Sequence, residues 1–337
     1  MLKNKINSKL FINYQNNKNF MVFVILIILL LIALFLVVSF DSNGFDIVNI
    51  SFINKYAILS IVLSGTCLGV STYLVQHLTK NKLADTSVLG IGNCNAMSLL
   101  FMTLLLDLSQ PSSVNAYNTL KPIVFMTCSI LASLLLHFLS KKKDHKISKK
   151  IIIIGIFINF FFVAVANMFS NFLPSGKKSM VSPYLDGFVS QYDNESFLFC
   201  FVVIIILLIW LFFIVNKFKI VSINTDIATE LGINVNIVNF QIILISGAFA
   251  GIAYILVGNI TFLGIISGNV ATMLFKKNIK SGILSSSLVS MIILFFTFFI
   301  FTNIIPGLTD NKVNINTSHM ISLISLPYFL YLIFKSE

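Results

Sequence analysis

Arginine is missing from all 337 residues, and the 23 basic residues, all lysine, face only 12 Asp and Glu. Charged residues make up 10% of the chain, against about a quarter in an ordinary soluble domain, which excludes a soluble globular fold. The four cysteines, Cys67, Cys94, Cys128 and Cys200, stand singly in apolar segments. They have neither C-x-x-C spacing nor a histidine at ligand distance, so they read as small buried residues, and no metal site is expected. No Walker A loop, nucleophile elbow or pair of carboxylates is present. An ATP-hydrolysing or acyl-transfer centre is thereby excluded, and any energy source must come from another chain.

What the chain has is apolar length. Hydrophobic residues make up 57% and the mean hydropathy is +0.95, the composition of a polytopic membrane protein. The net charge of +11 does not point to nucleic acid, because the lysines sit in short loops beside apolar blocks and not on one polar face. A span needs about 20 apolar residues. Ten blocks qualify, near 20–40, 56–78, 87–107, 121–139, 151–172, 196–216, 236–257, 260–275, 283–303 and 317–334, the third and eighth being the weakest. The run from Phe20 to Phe40 is too long for a signal peptide and lacks a small-residue cleavage site, so it is expected to stay in the membrane behind a tail of residues 1–19.

Lysine sets the orientation. With the N-terminus inside, the inner loops hold the lysines of the tail, Lys80, Lys82, the six between 141 and 150, Lys217, Lys219, Lys276, Lys277, Lys280 and Lys335. The outer side keeps only Lys55, Lys121, Lys177, Lys178 and Lys312. That bias predicts cytoplasmic N- and C-termini and an even number of spans in the plasma membrane.

Between two of the most apolar blocks lies a polar island, SINTDIATELGIN, residues 222–234. Asn224 and Thr225 are good helix N-caps, Asp226 and Glu230 carry negative charge, and Gly232 is a ready stop before Asn234. A helix of two turns is predicted, too short to stand alone and in need of something to dock on. Ile227 and Leu231 lie four apart on one face, and Ala228 leaves room for close approach. Taken alone, the pattern fits an interfacial helix that links two spans.

An internal repeat joins LSGTCLGVSTYLV at 63–75 to ISGAFAGIAYILV at 245–257. Each copy carries G-x-x-x-G, Gly65 to Gly69 and Gly247 to Gly251, which lets helices approach closely in lipid. In the topology above the copies run in opposite directions, an inverted repeat of the kind transport folds use.

These residues carry a family resemblance. The segment from Gly65 to Ala96 resembles the signature of the iron-chelate and cobalamin ABC importer permeases, the FecCD/BtuC-like family, at Gln76, Asn81, Leu83, Ala84, Asp85, Leu89 and Gly90. GIFIN is similar to the family's G-x-x-x-N at Gly155 and Asn159, and YLDG resembles its W-x-x-G at Gly187. TDIATELGINV is similar to E-E-x-A-x-x-LG-V-N at Asp226, Ala228, Leu231, Gly232 and Asn234. GNITFLGIISGNVA matches at Gly258, Ile260, Phe262, Gly264 and Ala271, and the final LPYFLYLIFK through Pro327.

The resemblance implies an all-α permease domain over 20–337 with about ten transmembrane helices, a BtuC-like type II ABC importer fold, and a dimer of identical or paralogous permeases embedded in lipid. It further implies a coupling helix at 225–234 that docks on an ABC ATPase, where ATP and Mg would bind, and an extracytoplasmic binding protein or lipoprotein that delivers the cargo. That cargo would be a siderophore, haem or a cobalamin-like metal complex. This chain itself is expected to carry no cofactor and to be no enzyme. The outer R-x-P-R of the family is absent, which leaves Lys55 and Lys312 as the nearby charges able to meet acids on the binding protein, as point charges without a bidentate fork.

Asn93, Asn95, Asn159, Asn167 and Asn269 within the blocks could line a wet pathway or bond neighbouring helices. Helix glue, at about 0.6–2 kcal/mol each, is the default. An ion-coupled secondary transporter is the alternative class. It would need an intramembrane carboxylate, and all twelve acids, Asp85 and Asp107 included, fall in loops or at span ends.

Overall fold

In lipid a backbone amide has no water to bond, so long runs of Ile, Leu, Val and Phe close their hydrogen bonds within the segment. The computed structural model describes residues 2–41, 44–45, 52–107, 110–140, 151–187, 194–275 and 278–304, with parts of 321–334. Helix α1, Leu2–Ser39, runs without a break from the lysine-bearing tail into the first apolar block. A two-residue antiparallel pairing, β1 (Phe40–Asp41) with β2 (Gly44–Phe45), follows it. Next come α2 (Phe52–Thr79), α3 (Ile91–Leu105), α4 (Pro111–Ser140), α5 (Ile151–Phe172) and the polar α6 (Ser175–Asp186). The second part holds α7 (Asn194–Ile223), α8 (Thr225–Glu230), α9 (Val235–Val257), α10 (Leu263–Leu274) and α11 (Ile279–Phe299), which ends in a π turn at Ile300–Ile304.

Among the described residues seven helices are long and apolar enough to cross a membrane. The third and eighth apolar blocks become shorter helices, α3 with 15 residues and α10 with 12. At 1.5 Å per residue they reach about 22 Å and 18 Å, short of a hydrocarbon core of about 30 Å. The reason is local: part of each block is spent on a non-helical link that enters the interior, with Ala84, Asp85 and Thr86 all buried in the first. The tenth block, 317–334, falls largely outside the described residues, so a count of ten spans is approximate.

The core is built on α2 and α9, whose apolar windows are 78% and 83% buried, whereas α1 is 17% and α5 22% buried. Phe157, Phe160 and Phe161 of α5 are therefore outward-facing filler. The helix contacts repeat. α2 packs on α11 and α10, as α9 packs on α4 and α3; α10 packs on α11 as α3 does on α4. The glycine pairs make these contacts: Gly65 lies against Met291 and Gly69 against Ser286 and Ser287 of α11, while Gly247 and Gly251 lie against Ser133 and Ser129 of α4. Ser286 Oγ donates to the carbonyl of Gly69 at 2.8 Å, a hydrogen bond between helices at the point of closest approach.

Two elements depart from expectation. α4 starts at Pro111, ten residues before the apolar block, so Lys121 is a buried residue inside the helix and not at its start. Its Nζ donates to the hydroxyl of Tyr184 at 2.7 Å. α6 belongs to no apolar block, yet it ties helix ends together. Lys177 Nζ donates to the carbonyls of Thr103 (3.0 Å) and Leu106 (2.7 Å) at the end of α3. The amide of Asn259, after α9, donates to the carbonyl of Tyr184 at 2.9 Å.

Candidate functional site

Two assemblies hold the candidate residues: the short helix α8 and the junction of the two interior links. α8 is six residues long because both ends are closed by side chains and backbone. Asn224 Oδ1 accepts from the amide of Asp226 at 2.8 Å, closing the start. At the other end the amide of Gly232 donates to the carbonyl of Thr229 (2.9 Å) and that of Ile233 to the carbonyl of Ala228 (3.0 Å). This is a Schellman stop, and it requires a residue in the left-handed region. Gly232 supplies φ 74°. Asn234 Oδ1 then accepts from the amide of Ile237 at 3.2 Å and opens α9.

The small side chain of α8 faces the body of the chain. Ala228 is fully buried against the body of the chain, where α8 touches α7 and α9. Ile227 is 49% and Leu231 63% exposed. The small residue seats the helix, and the two large apolar side chains remain outside. Thr225 is half-buried, and Asp226 and Glu230 are exposed.

The second assembly gathers motif residues far apart in sequence. Asp85 is 2% exposed. Its Oδ1 accepts from Thr72 Oγ1 (2.7 Å) and its Oδ2 from Ser87 Oγ (2.6 Å). Gly264, at the start of α10, lies against Thr72 and Asp85, so the two links meet at this carboxyl. A loop residue by sequence, Asp85 is an interior group in the fold. Gln76 Nε2 donates to the carbonyl of Lys82 at 3.1 Å, and Asn269 Nδ2 donates to the same carbonyl at 2.8 Å. Asn81 Oδ1 accepts from the amide of Leu83 at 2.8 Å, and its carbonyl from the amide of Ala84.

Leu89 and Gly90 fit against α5: a side chain at Gly155 would strike Leu89, and one at Gly90 would strike the backbone of Asn159. A chain of amides spans the junction, with Asn259 Nδ2 donating to Asn93 Oδ1 (3.3 Å) and Asn93 Nδ2 to Asn159 Oδ1 (2.6 Å). Asn95 bonds Ser129 of α4 at 2.7 Å. These asparagines join helices to one another, as the default reading has it; Asn167 is exposed on α5. Gly258 ends α9 at φ 69°, ψ −156°, a region open essentially to glycine alone.

Gly65, Gly69, Gly247 and Gly251 stand apart from both assemblies, in the packing described above. Lys55 lies in the first turn of α2 with its side chain outside the described residues, and Lys312 is wholly outside them. Sequence reasoning missed Lys121, Lys177 and Tyr184.

A buried helical core with two links meeting in its interior, flanked by a capped polar helix between apolar helices long enough to cross a membrane, is the architecture of a multi-span membrane protein. The model of the FecCD transport family matches residues 25–335. The chain belongs to that family, whose members are permease subunits of ABC importers with the ATPase on a separate subunit. It is 23% identical over 322 residues, 95% of this chain and 99% of the relative, to the petrobactin import system permease protein YclO of Bacillus subtilis. It is 26% identical over 227 residues, 67% of this chain and 64% of the relative, to the petrobactin import system permease protein FatD of Bacillus anthracis. Its fold matches an inward-facing structure assigned to the metal-chelate type of ABC transporter, with a TM-score of 0.74 at 18% identity over 94% of this chain and 99% of the other. PsaBC from Streptococcus pneumoniae, in complex with Fab, gives a TM-score of 0.58 at 18% identity, covering 84% of this chain and 91% of the other.

Proposed function

We propose that this chain is the permease of an ATP-driven importer of iron chelates, siderophore or haem, or of a cobalamin-like metal complex. Two permeases, identical or paralogous, would line a path between them. A binding protein or lipoprotein would deliver cargo outside, and two ABC ATPases would bind ATP and Mg inside. The observation that carries this reading is α8. It is closed at both ends and seated by Ala228, and it leaves Ile227 and Leu231 exposed at a helix-connecting turn. Two large apolar side chains exposed together on a polar helix between spans suit a protein contact, and the lysine bias predicts a cytoplasmic position for that helix and both termini.

Closure of the ATPases on ATP would move α8, and α8 is joined to α9 by only four residues, 231–234. The stroke then reaches the buried core helix directly, which is how a rigid element passes motion to a packed one. Outside, Lys55 and Lys312 would meet acids on the binding protein. Charge reversal of both is expected to abolish capture of that protein; unchanged capture would refute the assignment.

Co-reconstitution with the ATPase and the binding protein in liposomes tests the whole reading. Uptake of a ferric siderophore should require ATP, the ATPase and the binding protein together. Uptake driven by a proton or sodium gradient without the ATPase would replace this reading with a secondary carrier.

A further inference from the structure

A pocket of about 370 Å³ opens where the end of α2 meets the end of α7, the start of α8 and the first turns of α9. Its lining includes His77, Lys80, Asn81, Phe218, Thr225 and Asn239, and none of its lining residues is acidic. The hydroxyls of Thr79 and Ser222 are spent on backbone carbonyls, and three other side chains keep capacity for a ligand. Asn81 spends Oδ1 on the amide of Leu83 and keeps Nδ2 for the pocket. His77 donates from Nδ1 to the carbonyl of Tyr73 at 3.0 Å, which leaves Nε2 of the neutral ring as an acceptor for a hydroxyl of the ligand. Asn239 is 4% exposed, and its buried Oδ1 has no hydrogen-bond partner. A buried amide without a partner costs about 1–3 kcal/mol, so the fold gains when something fills that position.

We propose that this pocket binds a phosphate-bearing anion. Lys80 supplies the positive charge, Asn81 Nδ2 and the Thr225 hydroxyl supply neutral donors, and no carboxylate opposes the ligand from the lining. Asn239 Oδ1 calls for a donor. Hydrogen phosphate carries one in its own hydroxyl, and phosphatidylglycerol carries hydroxyls on its terminal glycerol beside the phosphodiester. Phe218, Val221 and Leu78 add an apolar wall, suited to the glycerol backbone of a lipid at the depth where headgroups lie. The free ion and the lipid share one recognition chemistry, a phosphate held by an ammonium and amide donors.

The site also has a place in the machine. It is bounded by Thr225 of α8 and by Lys80 and Asn81 of the interior link, so its occupant touches both assemblies described above. This binding is independent of the proposed import function and is tested without transport. The full chain, in nanodiscs of phosphatidylcholine, is titrated with inorganic phosphate followed by 31P line broadening. A parallel sample carrying a few percent phosphatidylglycerol is released into native mass spectrometry.

Wild type is expected to broaden the phosphate line, to retain phosphatidylglycerol over phosphatidylcholine, or both. Broadening assigns the site to the free ion, and retention alone assigns it to the lipid. Lys80→Asn, which tolerates the φ of 52° found there, should weaken either signal about tenfold, the loss of one charge-assisted contact of about 1.4 kcal/mol. Asn239→Leu should remove it, with elution as a single species showing that the variant is folded. Absence of both signals in wild type, or signals untouched by Lys80→Asn, would overturn the proposal.

Discussion

α2 and α9 carry the same G-x-x-x-G at the same place in the repeat, yet their inner glycines meet different matter. A side chain built at Gly69 would stand 2.5 Å from the carbonyl oxygen of Ser286 and 2.7 Å from Cα of Ser287, backbone on both counts. At Gly251 it would stand 2.6 Å from the hydroxyl of Ser129 and 2.9 Å from its Cβ, and the nearest backbone atom is 3.2 Å away. A hydroxyl can turn and a backbone cannot. Spacing in a repeat therefore fixes where helices cross, while the partner's atoms decide how tightly.

The links differ more than the helices. The one before α3 buries a carboxyl held by Thr72 and Ser87. The one before α10, residues 258–262, has no acid and is closed by the amide of Asn259 on Tyr184 and the turn at Gly258. The first link is thus polar at its centre and the second at its edge. Asp85→Ala breaks this comparison most severely. It leaves the buried hydroxyl of Thr72 beside Gly264, and the half-buried one of Ser87, without their acceptor, for an expected loss of about 3 kcal/mol. Reversible denaturation in mixed micelles reads it. Asn259→Ala, which keeps the backbone bond to Tyr184, should cost about 1 kcal/mol. Equal losses would mean that the two links are equivalent after all.

The glycine comparison sharpens next. Gly69→Ala should cost about 2–3 kcal/mol, because α2 and α11 must part. Gly251→Ala should cost less, about 1–2 kcal/mol, since it meets the Oγ and Cβ of Ser129 and no backbone atom closer than 3.2 Å. The same micelle assay separates them, and a larger loss at Gly251 would show that the hydroxyl of Ser129 is held by its bond to Asn95 more firmly than a backbone.

How much of this was legible follows from range. α8 was readable because Asn224, Gly232 and Asn234 act on amides a few residues away, and capping needs no knowledge of the fold. The alignment of Gly65 with Gly247 gave the repeat, but not the partners. That Gly155 receives Leu89, or that Gly264 receives Thr72 and Asp85, depends on contacts between segments tens to nearly two hundred residues apart, which periodicity does not encode. That Lys121 lies inside a helix and not at its start follows from Pro111, a good first helical residue ten positions earlier. For α6 the overlooked signals were Pro174 just before it and Gly187 just after it. Its low hydropathy sets it apart from the spans.

The smallest effect on the micelle midpoint is expected at α8, where stability and function should come apart. Gly232 has φ 74° and nothing within 4 Å of a built side chain, so Gly232→Ala meets no clash and strains only the backbone. That strain is about 1–2 kcal/mol, confined to the stop of a six-residue helix. Insertion and the micelle midpoint should stay nearly unchanged, because α2 and α9 hold the core without α8. ATP-dependent uptake should fall severalfold, since the same strain loosens the rigid link between the exposed Leu231 and the start of α9. A variant with a lowered midpoint and normal uptake would reverse the comparison, making α8 a brace for the fold and not a lever.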